Sequence, residues 1–207
     1  MAGTMTYHEH SLPKLVSIAE LERAEIGIAN LLRVLGQDPD REGLASTPQR
    51  VVRAMQQMTA GYHQNPQEIL SRQFAGDNYD DLVVVRGIRF SSLCEHHLLP
   101  FVGTCAVAYL PHDKVVGLSK LPRLVECYAM RLQLQERMTR QIAEAVMTHL
   151  EPRGVGVCVQ ATHQCMACRG VRQPDADMLT TTVLGEMRDN PSLKSEFTEA
   201  VGMRHGK

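Results

Sequence analysis

Cysteine and histidine side chains are concentrated in two short segments of this sequence. The segments are Cys94–His97 (CEHH) and His163–Arg169 (HQCMACR), and together they contain three of the six cysteines and three of the nine histidines. Thiolate sulfur and imidazole nitrogen at such close spacing are the ligands that zinc prefers. The two segments therefore predict a zinc site, which is either structural or catalytic.

Spacing alone leaves two ligand sets open. Cys94-x-x-His97 and Cys165-x-x-Cys168 together would close a structural Cys₃His tetrahedron. A catalytic site would instead use Cys94, His97 and Cys165 and would leave one coordination position open, with Cys168 as a bystander. His96, His163 and Arg169 adjoin the ligands without being needed for a closed site, and they favour the catalytic interpretation.

Two further polar groups are candidates for binding a ligand. Ser119, Lys120 and Arg123 lie where a strand pattern gives way to a helix pattern. Backbone donors and two cations at a helix start suit a phosphate. Such helix starts are common, however, and the sequence alone favours Ser119 as an ordinary N-cap beside solvated cations. Gln135 and Glu136 are either exposed helical residues or an amide and a carboxylate that bind the edge of a purine.

Composition limits the classes of partner. The net charge is -1, with 22 basic and 23 acidic residues, which argues against binding to nucleic acid or to a membrane surface. No apolar run reaches the ~18 residues of a membrane span, and the N-terminus lacks the apolar centre of a signal peptide. We therefore expect a cytoplasmic protein, in which clustered cysteines bind metal rather than form disulfides.

The hydrophobic pattern predicts three regions: a polar flexible arm at residues 1–18, a helical region at 19–80 and a larger domain at 81–207. Helical periodicity runs from Ile18 to Leu35, and Thr47-Pro48 is expected to begin a second helix with Thr47 as N-cap. Residues 61–80 are expected to be a connection. Strand patterns at 82–90, 102–110, 155–162 and 178–184 enclose a long helical stretch at 120–150 that should break near 131–135.

The order of these elements, β-β-α-α-β-β, predicts an α+β fold. Residues 111–114 are expected to form a hairpin turn that returns the chain through Val115–Gly117, and a short final helix is expected at 191–201.

Four segments of the chain resemble the zinc-dependent GTP cyclohydrolase I family. They are CEHHLLPF, VGLSKLPRLVECYAMRLQLQERMTRQIA, HQCMACRG and TTTVLGEMRDNPSLKSEF, and the resemblance runs from about residue 20 to residue 202. It implies the tunnelling fold with an N-terminal helical extension, and a homodecamer with active sites at subunit interfaces. It also implies a reaction that opens the imidazole ring of GTP, releases C8 as formate and gives 7,8-dihydroneopterin triphosphate.

Residue by residue, the resemblance assigns the metal ligands and the substrate contacts. Cys94, His97 and Cys165 match the zinc ligands, His163 matches the general acid, and His96 matches a histidine near the ribose and the attacking water. Gln135 and Glu136 match the contacts to guanine. The triphosphate contacts match Ser119, Lys120, Arg123 and Arg169, with Arg50 as a further contact from a neighbouring subunit.

Cys168 departs from the family pattern and leaves a closed zinc geometry conceivable. Two alternatives to this enzyme therefore stand at the level of sequence. One is a non-catalytic binding module with a structural Cys₃His zinc, and the other is a different tunnelling-fold enzyme acting on a pterin or deazapurine. The phosphate set at Ser119, Lys120 and Arg123 argues against the second.

Overall fold

The computed structural model describes residues 16–76 and 79–202. The chain forms two compact units, which meet in the sequence between His63 and Gln64. The sequence pattern placed this division later, between residues 80 and 81. Most of the predicted flexible arm, residues 1–15, lies outside the described residues.

The smaller unit contains α1 (Ile18–Val34), α2 (Thr47–Met58) and a 3-10 turn (Ala60–His63). A capping box begins α1, because Ser17 accepts from the backbone of Glu20 and Glu20 accepts from that of Ser17. The prediction that Thr47 caps α2 is wrong, since Ser46 is the N-cap and Thr47 is the first helical residue. The Thr47 hydroxyl instead accepts from Arg50 Nη2 at 2.8 Å.

The larger unit contains seven strands and six helices in the described part of the chain. In order they are α3 (Pro66–Leu70), β1 (Gln73–Ala75), β2 (Val83–Cys94), β3 (Pro100–Leu110), β4 (Lys114–Val116), α4 (Lys120–Ala129), β5 (Leu132–Gln133), α5 (Gln135–Leu150), β6 (Gly154–His163), α6 (Gln164–Ala167), β7 (Met178–Gly185), α7 (Glu186–Asp189) and α8 (Pro191–Ala200).

Five of these strands form one sheet in the order β5-β2-β3-β6-β7. Its four long strands pair antiparallel, and only the short β5 runs parallel to β2. The main core lies between this sheet and the helices α4 and α5, where Leu124, Ile142 and Val157 are fully buried. A smaller cluster that includes Met187 and Phe197 covers part of the opposite face. The predicted β-β-α-α-β-β order, with a break between its two helices, is confirmed.

The predicted hairpin at residues 111–114 is wrong. The returning strand β4 does not pair with β3 but forms a separate two-stranded sheet with β1, in which Phe74 lies opposite Val115. Residues 61–80 are likewise more than a connection, because they contain α3 and β1. Both elements are short, with five and three residues, so neither shows a clear hydrophobic period.

The strand predicted at residues 82–90 corresponds to β2, which runs from Val83 to Cys94. Strand β2 continues through this region with a shift of register between Val85 and Ile88, and Gly87 adopts a φ of 73°. A glycine tolerates this left-handed conformation, which bends the strand without ending it. Searched over its described residues, the chain has no helix with the length and apolarity that a membrane span requires.

Candidate metal centre and nucleotide site

Three side chains that could hold a metal ion converge at one edge of the large sheet. Cys94 is the last residue of β2, His97 lies in the turn that follows, and Cys165 lies in α6, directly after β6. Their ligand atoms all lie within 4.8 Å of one another. Strand β3 pairs with both β2 and β6, and this pairing brings the two distant segments together. We call these three residues the metal group.

The turn after β2 presents His97 through a tight hydrogen-bonded loop. The amide of Leu98 donates to the carbonyl of Cys94 at 2.8 Å, and the amide of Cys94 donates to the carbonyl of Leu99 at 2.9 Å. Leu98 has a φ of 54°, a left-handed conformation that is unfavourable for a branched side chain. The ligand loop is therefore held in a strained shape.

Cys168 does not join the metal group. Its thiol is exposed and donates to the carbonyl of Gln164 at 2.9 Å, within its own short helix. Over the described residues, the group that could hold an ion comprises Cys94, His97 and Cys165 without a fourth side chain. The closed Cys₃His arrangement is thus not the one that this structure has.

The donors of the metal group fit a zinc ion. Burial and the neighbouring Cys94 thiol raise the pKa of Cys165, while Arg169 lowers it. Two adjacent thiols oppose each other's ionisation, and a divalent cation between them would reverse this effect, because coordinated thiols lose their protons. Two sulfurs and one imidazole nitrogen are also a ligand set typical of zinc with one position left for water or substrate.

His163 lies at the end of β6, two residues before Cys165. Its ring stacks on the buried ring of Phe101, with centroids 4.5 Å apart and planes within 2°. Burial lowers the pKa of His163, and the negative charge of Glu136 partly opposes that shift. The imidazole is therefore held flat against the core with a bias towards its neutral form.

Gln135 holds the Nε2 edge of His163 in place. This side chain is 1% exposed, and its Oε1 lies 2.9 Å from His163 Nε2. Its Nε2 lies between two backbone carbonyls, those of Val159 at 3.0 Å and Met178 at 2.9 Å. Carbonyls only accept hydrogen bonds, so the amide nitrogen must face them and the amide oxygen must face the imidazole. His163 Nε2 is consequently a donor, and Nδ1 is the nitrogen left for other partners.

Three further predicted site residues are exposed to solvent. Glu136 and Arg169 are exposed, and Arg169 Nη1 lies 3.3 Å from His97 Nε2. His96 is also exposed, and its ring meets that of His97 edge-on at 6.2 Å. The structure therefore brings Arg169 and His96 to the metal group, and the electrostatic influence of Glu136 reaches His163.

The predicted phosphate residues lie at the start of α4. Ser119 is the N-cap but its side chain makes no capping hydrogen bond, Lys120 is half-buried, and Arg123 is exposed. Within the described ranges, no hydrogen bond joins these three side chains to the metal group. Arg50 lies on α2 of the smaller unit, where it donates to Thr47 and to the carbonyl of Gly43.

Sequence patterns did not single out two contributors to the site. Phe101 supports the ring of His163, and Thr180 accepts from Gln135 Nε2 at 3.1 Å. Phe101 follows the CEHH segment closely, but only the pairing of Phe101 with His163 across β3 and β6 shows the stacking. Thr180 belongs to a β-branched run whose period gives no sign of a polar role.

The α+β unit presents two thiols and an imidazole at one end of its strands, beside a stacked histidine, and this group could bind a metal ion. The sequence model of the GTP cyclohydrolase I family matches residues 24–202. The chain belongs to this family, whose tunnelling fold has the element order found here.

Named relatives match across most of the chain. The chain is 49% identical over 174 residues to GTP cyclohydrolase 1 of Synechococcus sp. (strain JA-3-3Ab), covering 84% of this chain and 76% of that protein. It is 51% identical over 168 residues to GTP cyclohydrolase 1 of Janthinobacterium sp. (strain Marseille), covering 81% and 85%. It is 47% identical over 180 residues to GTP cyclohydrolase 1 of Alkalilimnicola ehrlichii, covering 87% and 97%.

Among solved structures, the archaeosine synthase QueF-Like in its apo form shares a partial likeness. The match has a TM-score of 0.44 and 19% sequence identity, and it covers 52% of this chain and 97% of that one.

Proposed function

We propose that this protein is a zinc-dependent GTP cyclohydrolase I, which converts GTP to 7,8-dihydroneopterin triphosphate and formate. The observation that carries the proposal is the convergence of Cys94, His97 and Cys165 within 4.8 Å, without Cys168, in a chain of this family. A site of three ligands suits hydrolysis, because it leaves a position for the reacting groups.

Cys94, His97 and Cys165 would hold the zinc ion. When bound, the ion supplies the Lewis acidity that hydrolysis at C8 of guanine needs near neutral pH. His96, exposed beside His97, is placed to contact the ribose and the attacking water. These assignments follow the positions that the family resemblance gave, and the geometry of the metal group supports them.

His163 would act as the general acid that protonates the purine nitrogen when the ring opens. Gln135 occupies its Nε2, so the proton transferred would be the one on Nδ1. Burial lowers the pKa of this imidazole, which makes its protonated form a stronger acid than a free histidine. Glu136 favours the protonated form and thereby opposes complete neutralisation.

Glu136 would bind the N–H groups of guanine, and the cations would bind the triphosphate. If the bound nucleotide shields this carboxylate from water, the site would discriminate against adenine, whose corresponding edge offers a different pattern of donors. Ser119, Lys120, Arg123 and Arg169 supply a hydroxyl and three cations for phosphate oxygens. Exposure of Ser119 and Arg123 leaves them free to bind such a ligand.

We also propose a cytoplasmic homodecamer with active sites at subunit interfaces and with Arg50 supplied by a neighbouring subunit. Helix α1 supports assembly, because it has no buried residue although Ile26 is 59% exposed and Val34 is 83% exposed. Light scattering on purified protein should give about ten times the chain mass of 23.1 kDa. A monomer that still converts GTP would contradict the interface sites.

The experiment that tests the activity uses zinc-loaded protein with GTP and with guanosine. GTP should yield stoichiometric formate and, after oxidation, a fluorescent neopterin derivative, whereas guanosine should react poorly because it lacks the triphosphate. Equal turnover of both substrates would instead favour another tunnelling-fold activity. Unchanged GTP in the presence of zinc-loaded protein would overturn the proposal.

A further inference from the structure

Something outside the metal group must hold the turn that carries His97. Leu98 in this turn has a left-handed backbone with a φ of 54° and a side chain that is 47% exposed. A backbone conformation of this kind is unfavourable for leucine and persists only where surrounding contacts enforce it. Packing of a half-exposed leucine is a weak source of such enforcement.

Glu95, the residue between Cys94 and His96, is fixed from two directions. Its backbone amide donates to the carbonyl of Gln133 at 3.1 Å. Its carboxylate forms an ion pair with the guanidinium of Arg137 in the first turn of α5. These contacts attach the beginning of the ligand turn to the segment that joins β5 to α5.

Arg137 is itself held by β5. Its Nη2 donates to the carbonyl of Leu132 at 3.0 Å, and its Nε donates to Gln133 Oε1 at 3.2 Å. Strand β5 pairs in turn with the end of β2, where Cys94 lies opposite Gln133. The planar guanidinium therefore has a fixed position before it reaches Glu95, and its fork geometry favours a single arrangement of the carboxylate.

A second ion pair on α5 provides the natural comparison. Arg140 and Glu144 are four residues apart on the helix surface, with side chains 58% and 45% exposed. The side chains of Arg137 and Glu95 are 24% and 32% exposed, although they come from elements far apart in the sequence. Exposed helical pairs contribute little, whereas a partly covered pair between distant elements can fix their relative position.

We propose that Arg137 and Glu95 are positioning residues for the zinc site, holding the turn so that His97 meets Cys94 and Cys165 in ligand geometry. This inference rests on the proposed zinc enzyme and goes beyond it by assigning a role to two residues outside the proposed metal and nucleotide contacts. Groups that orient metal ligands typically change metal affinity about 10- to 100-fold when they are removed.

The test measures metal binding directly in the full-length protein. Zn²⁺ affinity is determined by competition with a chelating indicator for the wild type, Glu95→Gln, Arg137→Met and the matched control Glu144→Gln. Each variant at the pair should bind zinc about 10- to 100-fold more weakly, and the control should match the wild type. Co²⁺ substitution adds a spectroscopic readout. The visible absorption of the bound ion should shift or weaken in Glu95→Gln and Arg137→Met but not in Glu144→Gln.

Metal-free thermal unfolding separates positioning from general stability. The inference expects the metal-free midpoints of Glu95→Gln and Arg137→Met to stay close to that of the wild type while their zinc affinities fall. Wild-type zinc affinity and an unchanged Co²⁺ spectrum in both variants would overturn it, and so would a loss of metal-free stability as large as the loss with zinc. Arg137→Lys retains the charge without the fork and should lie between the wild type and Arg137→Met.

Failure of this inference is distinct from failure of the proposed function. If the wild type binds zinc but leaves GTP intact, the enzymatic proposal fails, and the variants still report on positioning. If the wild type turns over GTP and all variants bind zinc equally, only the positioning role is lost. A wild type that binds no zinc would overturn both.

Discussion

The local surroundings of each cysteine determine whether it can serve as a metal ligand. Burial raises the pKa values of Cys105, Cys127 and Cys158, so a thiolate is unfavourable at these positions. Cys94 and Cys165 are instead brought together at the sheet edge beside His97. Cys168, although only three residues from Cys165, points its thiol at the carbonyl of Gln164.

Replacement of single cysteines distinguishes a site of three ligands from a closed Cys₃His site. Cys165→Ser should reduce bound zinc from about one ion per chain to a small fraction, because it removes a thiolate ligand. Cys168→Ser should retain nearly all of the zinc, and metal analysis after gel filtration measures both. Equal loss from the two variants would show that Cys168 is a ligand.

Gln135 is predicted to act through His163 rather than by contact with the nucleotide. Gln135→Met removes the oxygen that accepts from His163 Nε2 and should lower kcat about 100-fold, the scale of a misplaced catalytic group. KM for GTP should change little. Nitrogen-15 NMR should find His163 in the Nε2–H form in the wild type and in a mixture of tautomers in the variant.

The opposite kinetic result would support the role that family resemblance gave to Gln135. A raised KM with unchanged kcat would mean that this amide contacts guanine. The structure disfavours that outcome, because the amide nitrogen already faces the carbonyls of Val159 and Met178. Either result leaves the assignment of the metal group unaffected.

At the residue scale, the types and spacings of the ligands could be predicted from the sequence. The direction in which each side chain points could not. CxxH and CxxC spacings marked four candidates, but spacing could not show that the Cys168 thiol turns back to Gln164. Gln135 and Glu136 look alike as the first residues of a helix, yet one is buried and the other is exposed. That difference arises from the packing of α5 on β6 and β7, which depends on the whole sheet.

At the scale of elements, the close pairing of β3 with β6 brings the two ligand segments together. Gly103 on β3 lies opposite Ala161 on β6. A Cβ added to Gly103 would lie 2.7 Å from Ala161 Cα and would also clash with the carbonyl of Gln160. Glycine at this position permits a close backbone approach two residues from Phe101, which supports His163.

Gly103→Ala should therefore push the strands apart and destabilise the fold by about 1–3 kcal/mol or more, as overpacking does in well-packed interiors. Urea unfolding measures the change. Gly27→Ala is the matched control, because its added Cβ meets nothing within 4 Å in the middle of α1 and alanine favours a helix over glycine. Wild-type stability in Gly103→Ala would contradict the close pairing.

Tyr109 links β3 to β4 and predicts a stability change at alkaline pH. Its buried phenol oxygen accepts from the amide of Val116 at 3.2 Å, and burial raises the pKa of Tyr109. Because its pKa is higher in the folded than in the unfolded protein, the neutral phenol stabilises the fold. This contribution to the free energy of unfolding is complete below the unfolded-state pKa of about 10. It is lost as the pH rises through the folded-state pKa.

Tyr109→Phe should lose roughly 1–3 kcal/mol of unfolding free energy at pH 7.5, since the Val116 amide is left without its acceptor. The variant should also lose less stability than the wild type between pH 9.5 and 11. Urea unfolding at several pH values measures both effects. If the free energy of unfolding changed equally with pH in the two proteins between pH 9.5 and 11, Tyr109 would not titrate with a raised pKa.

Long elements with a clear period were predictable, and short ones were not. Helix α1, the sheet strands and the break between α4 and α5 followed from periodicity and length. The pairing of β4 with β1 did not, because two three-residue strands carry too few side chains to show alternation. The start of α2 was displaced by one residue because the Thr47 hydroxyl accepts from Arg50 instead of from the helix backbone.

At the scale of the molecule, the chain combines a metal group built by one unit with a near-neutral net charge of -1. Affinity for an anionic nucleotide must therefore come from local cations rather than from the overall field. Lys120, Arg123 and Arg169 supply such cations within the same unit. We propose that these three cations bind one triphosphate.

Formate release from GTP by the full-length protein, measured before and after its zinc is removed, tests the proposed activity most directly. The zinc-loaded protein should release one formate for each neopterin triphosphate formed. Removal of the metal should abolish both products together, and added zinc should restore them together. GTP left intact by fully zinc-loaded protein, or undiminished turnover by metal-free protein, would contradict zinc-dependent hydrolysis of GTP at this site.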